Sequence, residues 1–144
     1  MTRRYCVLCG LVLLGLVDCS SSSSAPAGEL TFAVTIYTSV MSDKGDLKVD
    51  VRLPPDEPTR GTNAAELTVL STTTNATVDG LTVTVVPWMP AMGHGASVKP
   101  TVTAKPGGVY VVTGLSLFMP GTWELRTDLA GGSTDRVVAI IQVP

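Results

Sequence analysis

Four side chains of soft or borderline donor character fall in two short loops of this sequence. Met89, Met92 and His94 lie in Pro87-Trp88-Met89-Pro90-Ala91-Met92-Gly93-His94-Gly95, and Met119 lies in Phe118-Met119-Pro120-Gly121. Thioether sulfur and imidazole together suit Cu(I), and suit Zn(II) or hard cations far less. His94 is the only histidine in the chain, so thioethers must supply whatever ligands it cannot. The competing reading is packing. Methionine fills irregular gaps, so Met89 and Met119 beside prolines would plug the open end of a β-fold against Trp88 and Trp123. His94 between glycines would then be solvated or cap a turn.

Few other chemistries are open. The chain has 144 residues, enough for one domain of ordinary size. All three cysteines fall within the first nineteen residues. Together with the lone histidine, this excludes a zinc finger, a Cys–His nucleophile and a disulfide framework in the body of the chain. The formal net charge of −2 argues against binding nucleic acid, which calls for a basic face. Asp56, Glu57 and Arg60 read as a solvated linker. Asn75-Ala76-Thr77 matches a glycosylation sequon, but short motifs of this kind arise by chance. No nucleophile elbow, phosphate loop or pair of catalytic carboxylates is recognisable, and no enzymatic activity is expected.

The elements that must position the two loops are strands. Leu47-Val49-Val51-Leu53 alternate with Lys48, Asp50 and Arg52, the mark of a half-buried strand with one wet face. Leu81-Val83-Val85, Val98 to Lys105 and Trp123 to Leu129 alternate likewise. Val109 to Leu117 and Arg136 to Val143 are richer in apolar residues and read as central. Glu66 to Thr73 and Leu30 to Tyr37 complete the set. Turn residues punctuate these runs at Asp43-Lys44-Gly45-Asp46, Asp79-Gly80, Lys105-Pro106-Gly107-Gly108, Pro120-Gly121 and Gly131-Gly132. No window supports a long amphipathic helix. Seven to eight short strands at this spacing indicate an all-β, antiparallel, immunoglobulin-like β-sandwich. If strand 81–87 runs up, 98–104 down and 109–117 up again, both methionine loops fall at one end.

The N-terminus reads as an address. Arg3 and Arg4 precede an apolar run from Cys6 to Val17, too short to span a bilayer and right for the core of a secretory signal peptide. Leu16-Val17-Asp18-Cys19 then resembles a bacterial lipoprotein leader, in which the cysteine is acylated and becomes the mature N-terminus. Asp18 departs from the small residue usual in such leaders. Cleavage after Ala25-Pro26-Ala27 is the alternative. The expected layout is a signal peptide over 1–18, a lipidated Cys19 with a Ser-rich tether over 19–29, and the sandwich over 30–144. The mature protein would be exported to the periplasm or cell envelope and held to a membrane by its lipid.

Four motifs in order carry a family resemblance: Pro58-Thr59-Arg60-Gly61-Thr62-Asn63, Met89-Pro90-Ala91-Met92-Gly93-His94-Gly95, Gly108-Val109-Tyr110, and Met119-Pro120-Gly121-Thr122-Trp123-Glu124-Leu125. From Leu47 to Val143 the chain resembles the YtkA-like domain, a family similar in style to FixH proteins and more distantly to CopC-type copper carriers. The resemblance implies an extracytoplasmic β-sandwich, often lipid-anchored, without established catalysis. It implies copper handling, associated in FixH-like relatives with copper supply to respiratory oxidases, and a copper-accepting protein as partner. The positions carried over are Met89, Met92, His94 and Met119. A CopC-like, histidine-rich Cu(II) site cannot be built with one histidine, which leaves Cu(I). A metal-free structural or interaction module is the alternative function.

Overall fold

The computed structural model describes residues 29–131 and 133–144. The expected signal peptide, Cys19 and most of the tether lie outside the described residues. Within them, the period-two pattern becomes nine strands: β1 (Thr38–Met41), β2 (Leu47–Arg52), β3 (Gly61–Ser71), β4 (Thr82–Met89), β5 (His94–Gly95), β6 (Thr101–Lys105), β7 (Val109–Leu117), β8 (Gly121–Gly131) and β9 (Ser133–Val143). They form two antiparallel sheets, ordered β1-β2-β3-β7-β6 and β5-β4-β8-β9. The architecture is the expected all-β sandwich.

The differences from expectation are local. Leu30 to Tyr37 forms no strand: bends at 34–35 leave only two bonds to the end of β2, Ala33 N–H to Leu53 O and Tyr37 N–H to Val51 O. The first strand starts at Thr38 instead. β4 runs on through Trp88 and Met89, and the two-residue β5 folds back onto that extension, pairing Trp88 with Gly95 and Met89 with His94. These short additions bring the count above eight.

The core lies between the sheets. Val49, Val51, Leu67, Val69, Leu125, Leu129, Val137 and Ile141 are all buried, each at an odd position of a regular strand. β7 breaks the phase. Tyr110 and Val112 point inward, then Leu115 and Leu117 do. The switch is a β-bulge: Asn63 pairs with Leu115 but Ala64 pairs with Thr113, so Gly114 is the extra residue, with φ +75. Without the bulge, Ser116 would face the core and Leu117 would face water.

Two buried polar side chains hold the connections. The ring of Tyr110 is in the core, and its hydroxyl accepts the Leu81 N–H at 3.0 Å, tying the crossover between sheets to β7. Asn63 is buried and closes the turn before β3: its Oδ1 accepts the Thr59 N–H at 2.8 Å, and its Nδ2 donates to Thr59 O at 2.8 Å and Gly61 O at 3.1 Å. The Pro58–Asn63 motif is therefore structural. Glu57, expected in a solvated linker, is half-buried, and its Oε2 accepts the Ala64 N–H at 2.7 Å. Burial pushes its pKa up, and the Ala64 hydrogen bond only partly offsets this.

Two stability measurements test these contacts. Tyr110→Phe leaves the Leu81 N–H without its partner and is expected to cost about 1–3 kcal/mol in urea denaturation. Glu57→Gln tests the linkage. A carboxyl whose folded pKa lies above its unfolded value holds its full contribution below the unfolded pKa and loses it as pH rises through the folded pKa. The stability of the wild type relative to Glu57→Gln should therefore fall as pH is raised from about 4 and then level off. A difference that does not change with pH would contradict the buried setting of this carboxyl.

Candidate functional site

Both methionine loops lie at one pole of the sandwich. β4 and β7 end there, and β8 begins there. Pro90–Met92 form a single 3-10 turn closed by Gly93, whose N–H reaches Met89 O at 3.1 Å and Pro90 O at 3.2 Å. Gly93 has φ +66, a left-handed conformation that glycine adopts without strain. Gly95 is needed for space, since a Cβ there would sit 2.9 Å from Pro87 O and 3.4 Å from the Trp88 ring.

The second loop is held from below. Trp123 is buried, and its indole Nε1 donates to Met119 O at 2.9 Å. Gly121 has φ +118, and a Cβ on it would come within 3.3 Å of Met89 Cε. Met89 thus reaches across from β4 to pack beneath the 118–121 turn.

The four expected site residues fall into different settings. Met89 is 5% exposed and belongs to the core cluster, so its thioether is used for packing. Met92 is 52% exposed on the 3-10 turn, and Met119 is 36% exposed. His94 is exposed and shares one groove with Met119, a cleft of about 220 Å³ lined also by Ala96, Ser97, Ser116, Phe118 and Trp123. The structure therefore brings His94 and Met119 to one cleft. Met92 stays on the adjoining turn, and Met89 stays below. Trp88 is not part of the plug. Alternation turns it to the outer face, where it lies half-buried beneath Arg126, with the guanidinium 4.4 Å from its ring.

His94 is oriented by its neighbour. Its Nδ1 lies 3.1 Å from Gly95 O. A carbonyl oxygen only accepts, so in the neutral ring this contact places the proton on Nδ1 and leaves the Nε2 lone pair available to a ligand. The two loops carry no charged side chain, since neither 87–98 nor 107–123 contains Asp, Glu, Lys or Arg. Arg60 brings a charge to this end, beside the start of β3, where its Nε donates to Pro144 O at 2.8 Å. Among the described residues, no group of three or more His, Cys, Asp or Glu is placed to hold a metal ion. The available donor set is thus thioether and imidazole, which matches a soft monovalent ion. Ser97 and Ser116 were not visible as site residues in the sequence. The only signal for Ser116 was the even-to-odd phase change across Gly114.

A family model described as YtkA-like matches residues 41–128, and the chain belongs to the YtkA-like family. That span begins before β2, includes all four motifs and ends ahead of β9. No curated protein and no solved structure matches the chain.

The contrast between supporting and exposed residues is measurable as stability. Gly121→Ala introduces a side chain at positive φ against Met89 and should cost about 1–3 kcal/mol. Met92→Leu and His94→Gln change exposed side chains and should stay within about 0.5 kcal/mol of wild type. A large loss in either of the latter would show that those side chains serve the fold.

Proposed function

We propose that this YtkA-like sandwich is an extracytoplasmic Cu(I)-binding module, held to a membrane through Cys19 and delivering its ion to a copper-accepting protein. Met92, His94 and Met119 are the ligands, with Met89 as the packed floor beneath them. The observation that carries the reading is a remainder. The fold accounts for Gly93, Gly95, Gly121, Met89 and Trp123 through packing or backbone conformation. It gives no such account of the exposed thioethers of Met92 and Met119, or of the open Nε2 of His94. Two thioethers and one imidazole suit Cu(I) over Cu(II) or Zn(II). An exported protein is one in which free thiols are scarce, and thioether sites do not depend on reduced cysteine.

A metal-free structural or interaction module is the second reading. The burial of Met89 favours it, because one of the four methionine and histidine positions already has a purely structural use. Anaerobic titration with Cu(I) against a competing chelator separates the two. The copper reading predicts one ion per chain, bound well below micromolar Kd. It also predicts at least a tenfold loss for Met92→Leu and for His94→Gln, about 1.4 kcal/mol each. Affinity no better than micromolar, or affinity unmoved by both changes, leaves the structural module.

A further inference from the structure

The methionines among the described residues differ sharply in access. Met92 is 52% exposed, Met119 36% and Met41 53%, whereas Met89 is 5% exposed. Exposure at the pole is not fraying. The Met92 turn is closed by the Gly93 bonds to Met89 and Pro90, and the Met119 turn is pinned by Trp123 Nε1. Two thioethers are therefore held in water by fixed backbone, in loops without charged side chains, where a neutral oxidant can reach them. Met41 is equally open but sits on β1 opposite Lys48, away from the Met/His pole.

We infer that Met92 and Met119 are oxidation sites, and that their conversion to methionine sulfoxide by a peroxide switches off soft-metal binding at this pole. The switch rests on the Cu(I) reading above; the selectivity of oxidation does not. In the reaction, a sulfur lone pair attacks one peroxide oxygen. The sulfur–oxygen bond forms as the oxygen–oxygen bond breaks. Sulfur is oxidised by two electrons and hydrogen peroxide is reduced to water, with a proton passing from the transferred oxygen to the departing one. The product is a polar oxygen-bearing group. It replaces a soft donor by a hard one, which Cu(I) binds poorly. Met89 is closed to this chemistry, so the packing beneath the loop survives and oxidation leaves the fold intact.

The test is a time course of the full chain in hydrogen peroxide, read by peptide mass spectrometry, with Cu(I) affinity measured before and after. Met92 and Met119 should oxidise at least tenfold faster than Met89, with Met41 keeping pace with the fast pair. Silver(I), a redox-inert stand-in for Cu(I), should protect Met92 and Met119 but not Met41. The oxidised chain should melt at the same temperature, bind Cu(I) at least tenfold more weakly and recover on treatment with methionine sulfoxide reductases. Met89 oxidising as fast as Met92 and Met119 would overturn the site assignment. An oxidised chain that keeps its Cu(I) affinity overturns the switch alone. An untreated chain that binds no Cu(I) overturns the copper reading, and the switch with it.

Discussion

Burying one face of each sheet is the constraint from which the pole takes its shape. Trp123 shows how. Its ring must be inside, because β8 places Trp123, Leu125, Thr127 and Leu129 between the sheets. An indole N–H buried there needs an acceptor, and Met119 O supplies it at 2.9 Å. The core thus sets the position of an exposed loop through one hydrogen bond. Met89 does the same from β4, filling the space under the turn where Gly121 has no side chain. Positions that look from the sequence like one cluster of sulfur and nitrogen donors are therefore divided by the fold into a support below and a display above.

That division is the physical basis of the functional account. Gly93, Gly95 and Gly121 have conformational or spatial reasons to be glycine. Asn63 and Tyr110 have polar atoms satisfied by backbone groups of neighbouring connections. Each of the four sequence motifs is in large part a structural device. Met92, Met119 and His94 remain exposed, in loops that carry no charged side chain of their own. A soft cation bound by neutral donors needs no carboxylate, and none is offered within either loop.

Much of the fold was legible because its signal is local. Alternation placed β2 and the central part of β8, and apolar richness between turn residues placed β7, where Val109–Leu117 needed no adjustment at either end. What the sequence hid depends on pairing. β5 is two residues long and exists only because β4 extends through Met89 to receive it. Leu30 to Tyr37 has strand-like composition but makes only two bonds to the end of β2. Trp88 and Met89 are neighbours in the chain and face opposite ways, so one lies under Arg126 and the other enters the core. At the site, the convergence of His94 and Met119 followed from counting strand reversals. The lining by Ser116 followed from the Gly114 bulge, whose trace in the sequence is only a change of phase.

The central claim is that display and support are separate: Met92 and Met119 meet the ion, and Met89 does not. Methyl-labelled methionine gives each side chain its own NMR signal. On anaerobic addition of one equivalent of Cu(I), the account predicts large shifts for the Met92 and Met119 methyls, with Met41 unmoved and Met89 nearly so. Shifts absent from Met92 and Met119, or largest at Met89, would contradict it.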